Sequence, residues 1–420
     1  MEFILDYHLH SRFSRACSPK LTLPNIALAC NQKGIDIVGT ADFTHPVWCK
    51  ELIEQLIETE PGLYQIKKSF LPKNYRENEV FRPVRFVISS ELSCIYKQGE
   101  KTRRLHLVFL IPSLEVVAKI NAEFDKRGWN RKSDGRPILG ISGKDLWALM
   151  LEIDPRIILI PAHIWTPYFA VFGSKSGFDS LMECFGEELV KKIPAVETGL
   201  SSDPPMNWQI KELDNYRLVS ASDAHSLEAL GREATMVSLK NISFNNLADA
   251  LWDRNNSKII STLEFFPEEG RYHLDGCADC KYSCEPRVSK QNNFKCPKCG
   301  RALTLGTMFR VEQLAGRKGG EKPKSAKDFE YMIPLREIIG ALYDVGKNSK
   351  KVAKIYEDLL QNASELDILR AKTQPDFIPD NLWQALLAVR AGAVEKRAGY
   401  DGLYGIIKPK INKKIQTRII

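Results

Sequence analysis

Short apolar, β-branched runs recur through the first 270 residues, at 3–7, 35–40, 84–90, 105–111, 157–162, 193–197, 217–221 and 258–262. Between several of them the apolar positions fall at helical spacing, as over 24–33, 47–57 and 143–152. Strand–helix alternation predicts a parallel α/β sheet or barrel. The runs are continuous rather than alternating, which is the pattern of strands buried on both faces. Eight such strands predict a distorted TIM-like barrel over residues 1–270. Beyond it the pattern changes. Residues 271–315 are polar and rich in cysteine, and 316–327 (GRKGGEKPKSAK) read as a linker or mobile loop. From 328 to 420 apolar residues return at helical spacing, for example Leu335, Ile338, Ile339 and Leu342, which predicts a helical C-terminal region.

Length and composition agree with several domains. The chain has 420 residues, 44% hydrophobic and 27% charged, enough for two or three cores without disulfides. No apolar run approaches the ~20 residues of a membrane span, and the start MEFILDYHLH lacks the features of a secretory signal. Five of the ten cysteines crowd into 277–299. That clustering predicts metal binding in a reducing cytoplasm rather than a disulfide framework. Charge is uneven: residues 276–420 carry +11 and residues 1–275 carry −3. An acidic body with a basic attachment fits a catalytic domain joined to a polyanion-binding one.

The seven histidines sharpen this picture. His8 and His10 follow the first strand in Asp6-Tyr7-His8-Leu9-His10, and both can face one ion. Asp42 and His45 follow the second strand. Glu91 follows the third, His106 begins the fourth, His163 ends the fifth, and Asp223 and His225 follow the seventh. Residues at the carboxyl ends of barrel strands converge on one face. Imidazole and carboxylate donors suit Zn2+, Mn2+ or Fe2+. Glu91 is the best candidate to bridge two ions. A second set, Cys277-x2-Cys280 and Cys296-x2-Cys299, has zinc-ribbon spacing and predicts a closed structural Zn2+ site. Cys284 lies off this pattern and could compete with Cys280.

In this order, His-x-His, an acidic motif, a lone Glu, two separate His residues and a final Asp-x-His resemble the PHP (polymerase and histidinol phosphatase) domain. The resemblance implies a distorted (β/α)7 barrel that hydrolyses phosphoesters with two or three divalent ions, Zn2+, Mn2+, Mg2+ or Fe2+. Matched by position, the ligands are His8, His10, Asp42, Glu91, His106, His163, Asp223 and His225. Phe43 replaces the family's imidazole beside Asp42, and His45 is the nearest substitute. A further family histidine is absent; Ala16 and Cys17 stand in that region. Two ions would orient a phosphodiester and convert water to hydroxide for attack at phosphorus. Glu91 and Asp223 would then act at the catalytic centre, with Arg12, Arg104 and Lys144 as candidate cations.

Barrel, four-cysteine ribbon and basic helical tail, with GTADFTHP at 39–46 and VETGLSSDPP at 196–205, are similar as a whole to the endonuclease Q family. That similarity implies a double-stranded DNA partner, nicked 5′ of deaminated bases (hypoxanthine, uracil) or abasic sites. A flipped lesion needs a pocket, for which Trp165, Tyr168, Phe169 and Phe172, with Ser201 and Ser202, are the candidates. The end of the chain, 416–420, lacks the aromatic pair of a sliding-clamp peptide, so no clamp partner is expected. The competing functions are a PHP phosphatase acting on a small phosphomonoester and a nucleic-acid-binding protein without catalysis.

Overall fold

The structure is a computed structural model describing residues 1–253, 255 and 257–410. Strand β1 (Glu2–Asp6) pairs in parallel with β2 (Ile37–Gly39). The crossover helix Leu23–Lys33 starts on Pro24 and stops at Gly34, whose left-handed φ of 83° suits a glycine cap. A helix expected over 47–57 runs instead over Pro46–Gln55. The chain then turns into a hairpin of β3 (Leu56–Glu60) and β4 (Leu63–Ile66). Ile57 and Thr59 are β-branched and Gly62 takes a φ of 76°, so the local chemistry favours a tight reversal over more helix.

Strand β5 (Arg85–Gln98) lies parallel to β2 and forms a long hairpin with β6 (Lys101–Ile111). Both outrun the apolar stretches that mark them in the sequence. Glu91 and His106 therefore stand inside strands, opposite Val108 and Ser93, and not at strand ends. The short β7 (Ile138–Leu139) docks beside Ser93 and Cys94, and β8 (Ile158–Pro161) pairs with β6. Parallel strands β9 (Ala195–Glu197) and β10 (Arg217–Val219) form a separate pair. The Ile164 N–H bonded to the Glu197 carbonyl links them to the segment after β8. Strand β11 (Ala234–Ser238) returns antiparallel to β1 and pairs with β12 (Ile259–Glu264). Alternate residues of these strands feed two cores. Phe3, Leu5, Val87, Val108, Leu110, Ile160 and Val219 belong to one, and Ile4, Val38, Phe86, Ile88, Phe109 and Leu159 to the other. Burial on both faces explains the unbroken apolar runs.

The cysteine-rich segment folds on a small hairpin of β13 (Asp275–Cys277) and β14 (Tyr282–Cys284). The following helix, Thr307–Leu314, packs back on the first unit. Its buried Arg310 donates to the Phe172 carbonyl at 3.0 Å and the Phe178 carbonyl at 2.7 Å. Segment 316–327 contains no helix or strand but is fastened: the Gly316 and Arg317 amides donate to the Gln209 carbonyl, and the Arg317 guanidinium pairs with Asp214.

The C-terminal region has helices Leu335–Leu342, Lys350–Leu359, Glu365–Arg370 and Asp380–Arg390. It is not helical throughout. Strand β15 (Asp328–Tyr331) joins the main sheet in parallel beside β12, and β16 (Val394–Arg397) pairs with β17 (Ile406–Pro409). Asp328–Tyr331 alternates polar and apolar residues with the period of a strand, and it completes the open edge beside β12. Lys413, Lys414, Arg418 and the end at 416–420 lie outside the described residues. No helix of the described residues is long and apolar enough to cross a membrane.

Candidate metal centre

The chain leaves β1 in extended form, so His8 and His10 both enter a deep polar pocket and are buried. Asp42, His163 and Asp223 reach it from sharp turns after β2, β8 and β10. Their φ angles of 40°, 27° and 46° are left-handed, an uncommon and costly conformation for residues with a Cβ. Three such turns around one pocket mark it as a site that function, not folding economy, has shaped. Glu91 and His106 arrive from the β5–β6 hairpin.

Three donor groups result, each with its ligand atoms within 4.8 Å of one another: His8, His10 and Glu91; His10, Asp223 and His225; and Glu91, His106 and His163. Glu91 and His10 are each shared by two groups. Glu91 Oε1 lies 2.8 Å from His106 Nδ1 and 3.1 Å from His163 Nε2, while its Oε2 lies 3.4 Å from His10 Nε2. Asp223 Oδ1 is 3.1 Å from His10 Nε2 and 3.7 Å from His8 Nε2. His8 Nε2, His10 Nδ1 and Asp42 Oδ1 are buried without a hydrogen-bond partner. Orphaned buried donors that face one another are costly, and they fit divalent cations. Five imidazoles and two carboxylates in these groups match the donor chemistry of Zn2+, Mn2+ or Fe2+.

Electrostatics fit the same reading. Burial opposes charge on His8 and His10. The carboxylates of Glu197 and Glu91 around one, and of Asp223, Asp42 and Glu91 around the other, outweigh it and hold both imidazoles well above their usual pKa. Burial likewise opposes ionisation of Glu91, but His106, Arg136 and His8 keep its carboxyl well below the ordinary range. For His106 burial outweighs the pull of Glu91, and its pKa falls to about 3.

Other expected residues sit elsewhere. His45 stacks on Phe13 at 4.2 Å between ring centroids and enters none of the donor groups. Asp42 spends Oδ2 on the Ser11 amide and the Ser11 and Ser14 hydroxyls, with only Oδ1 facing His10, at 3.5 Å. Burial, then Asp42 and Asp223, push the Cys17 thiol up to about 12, which disfavours a thiolate ligand. Arg12 is turned away onto Glu51 at 2.5 Å, and Lys144 runs along Gly186. Arg104 lies over the rings of Tyr168 and Phe169. In the loop after His163, Phe169 stacks on His106 at 4.4 Å and Tyr168 is exposed. Trp165 and Phe172 cannot stack on a base. Both are fully buried against each other, and Trp165 donates its indole N–H to Asn207. Ser202 is also interior, donating to the Thr198 carbonyl, and Ser201 is buried.

Two residues of the pocket escaped the sequence reading. Glu197 accepts from His8 Nδ1 at 3.0 Å and from the His163 amide at 3.0 Å, so it fixes one tautomer and one turn. Its place at the end of an apolar run was the available signal. Arg136 contacts Glu91 Oε2 at 2.6 Å from a loop that no strand pattern marks.

The four ribbon thiols converge as the spacing predicts: Cys277, Cys280, Cys296 and Cys299 form one group, with Cys277 and Cys299 Sγ 4.0 Å apart. Arg301, 3.5 Å from the Cys299 sulfur, draws that thiol down to about 6, toward the thiolate a metal needs. Cys284 stays out of the group and contacts the Ser289 hydroxyl.

No protein-family model matches the chain. Over 400 residues it is 28% identical to the uncharacterized protein YqxK of Bacillus subtilis, covering 93% of each. Over 281 residues it is 31% identical to the uncharacterized protein MJ0043 of Methanocaldococcus jannaschii, covering 64% of this chain but only 34% of that one. Two crystal structures match its whole length with a TM-score of 0.83 and 28% identity. One is the lesion-specific endonuclease PfuEndoQ of Pyrococcus furiosus, 98% covered. The other, 99% covered, is endonuclease Q in complex with a 27-mer duplex substrate carrying an abasic lesion at the active site. From its first strand to its last hairpin, this chain resembles endonuclease Q.

Proposed function

We propose that this chain is a metal-dependent, lesion-specific DNA endonuclease that hydrolyses the phosphodiester 5′ of a deaminated or missing base in duplex DNA. The observation that carries the reading is the buried His/carboxylate cluster, with its three overlapping donor groups, in a chain that matches endonuclease Q from end to end. Residues 1–270 are read as a PHP-type barrel. The parallel pairs β1–β2, β2–β5 and β9–β10, with a polar pocket at their carboxyl ends, support this. Residues 271–315 form a Zn2+ ribbon, 316–327 connect it, and 328–420 supply a basic C-terminal region.

His8, His10, Glu91, His106, His163, Asp223 and His225 would hold two or three divalent ions, with Asp42 in support. Such ions, when bound, activate water and neutralise charge on a phosphodiester. Around them the chain prepares the ligands. Glu197 accepts a hydrogen bond from His8 Nδ1–H and turns Nε2 toward the cluster, and the Asp223 carbonyl, 2.8 Å from His225 Nδ1, accepts from that ring in the same way. Hydrolysis forms one P–O bond to water oxygen and breaks the P–O bond to the leaving sugar oxygen, which takes up a proton. Phe169 and the exposed Tyr168 edge the pocket beside His106 and offer an aromatic rim to an unstacked nucleotide.

The test is a nicking assay on labelled duplexes containing one deoxyinosine, one uracil, one abasic site or none, with Mg2+, Mn2+ or Zn2+ and an Asp223→Ala control. Cleavage just 5′ of a lesion, absent from undamaged DNA and from the control, is the expected result. Hydrolysis of p-nitrophenyl phosphate without nicking would replace the reading with a phosphomonoesterase. DNA binding without either activity would replace it with a binding protein.

A further inference from the structure

We infer that Arg136 is the cation that grips the scissile phosphate, an inference that rests on the endonuclease reading above. The pocket's chemistry calls for a fixed positive fork next to its acidic centre, because a pentacoordinate phosphoryl group gains charge on its equatorial oxygens. None of the cations expected from sequence supplies it: Arg12 is held by Glu51, Lys144 runs along Gly186, and Arg104 lies over the aromatic rim. Among the described residues Arg136 makes the one arginine or lysine ion pair to a carboxylate of the three donor groups, Nη1 to Glu91 Oε2 at 2.6 Å. Nε and Nη2 have no hydrogen-bond partner among the described residues, and the side chain keeps 21% of its surface exposed. So one nitrogen is anchored on the buried centre and two are left without a protein partner. A guanidinium held in this way presents a bidentate edge to a phosphate without having to be ordered first.

The loop is built to put it there. The Pro137 carbonyl accepts from the Ser93 amide at 3.2 Å, two residues from Glu91 on β5. The Gly135 amide donates to the Phe13 carbonyl, and a Cβ on Gly135 would collide with Asp42 Oδ2 and Ser14 Oγ. Asp134 Oδ1 caps the Arg136 amide at 2.9 Å. Two hydrogen bonds thus hold residues 134–137 against the metal-ligand cluster, Asp134 shapes the turn itself, and a side chain at 135 would lift the segment off.

A merely structural partner of Glu91 and a phosphate grip differ in what they feel on the DNA. Metal-loaded wild type, Arg136→Ala and Arg136→Lys would be titrated with two hydrolysis-resistant abasic duplexes. One carries a charged phosphorothioate at the linkage 5′ of the lesion, the other an uncharged methylphosphonate there. Arg136→Ala is expected to bind the phosphorothioate duplex about 10- to 100-fold more weakly, the range of a charge-assisted hydrogen bond. It should bind the methylphosphonate duplex within about twofold of wild type. Arg136→Lys keeps the charge beside Glu91 and loses the fork, so it should fold, hold metal and fall between the two. Equal losses on both linkages, or none on either, would overturn the assignment while leaving the endonuclease reading intact. A wild-type chain that neither nicks lesion DNA nor prefers it to undamaged duplex would overturn both.

Discussion

Replacing Arg310 with methionine should loosen the loop that follows His163 while leaving the fold in place. The guanidinium is buried and donates to the carbonyls of Phe172 and Phe178, with Asp179 as its ion-pair partner. Methionine fills most of the space but donates nothing. Two interior carbonyls are then left unpaired, at about 1–3 kcal/mol each. Better burial of the thioether returns about 1 kcal/mol, and the exposed Asp179 recovers water at little cost. The net loss is about 3 kcal/mol, borne by the opening of residues 172–178 rather than by the whole chain. Lys175, exposed in that loop, is a built-in tryptic reporter. When opening is fast relative to cleavage, about 3 kcal/mol translates into roughly 100-fold faster cutting after Lys175. Timed digestion followed by mass spectrometry reads this directly. Unchanged cutting in Arg310→Met would refute the claim that the helix Thr307–Leu314 fastens the loop.

Asp36 accepts from the Ile4 amide and Arg82 but is buried, and burial raises its pKa to about 6. A raised carboxyl contributes stability below its unfolded pKa of about 3.9 and loses it as pH rises through 6. Urea titrations should therefore show Asp36→Asn gaining up to about 3 kcal/mol on wild type between pH 4 and pH 7; a pH-independent difference contradicts this. If the four ribbon thiols hold zinc as proposed, Cys296→Ser should release it, counted with a chromogenic chelator, and lower the melting temperature; retention of a full equivalent excludes the four-thiolate site. Trp165→Ala, deep in the core, should cost about 3–5 kcal/mol. Tyr168→Ala should leave the melting temperature unchanged and weaken lesion-duplex binding by roughly 1–3 kcal/mol if that ring stacks on a base. Anisotropy titrations separate the two.

What could be read from sequence followed from strong local signals. Apolar runs located β1, β2, β8, β9 and β10 to within a few residues, since strands buried on both faces leave an unbroken imprint. The Cys spacing located the ribbon because a tetrahedral site demands paired turns. Glu91 and His106 could be singled out in the sequence but not placed mid-strand, because the buried polar residues Ser89, Ser90, Glu91 and Ser93 interrupt the apolar run that marks β5. Trp165 and Phe172 were misjudged for the opposite reason: a loop after a ligand suggests a rim, and nothing local says that Arg310 draws it into the core. Arg136 depends on β7 meeting β5, a pairing between positions far apart in the chain.

Strand β15 has one more consequence. Its four residues cover the side of β12 that would otherwise end the main sheet, and they lie more than sixty positions downstream. Until residues 328–331 are in place, that edge of β12 is bare and open to any extended peptide. Completion of the C-terminal region is thus a chaperoning event within the molecule itself. A product truncated near residue 315 would be expected to aggregate on the ribosome's doorstep before it could ever fail at its chemistry.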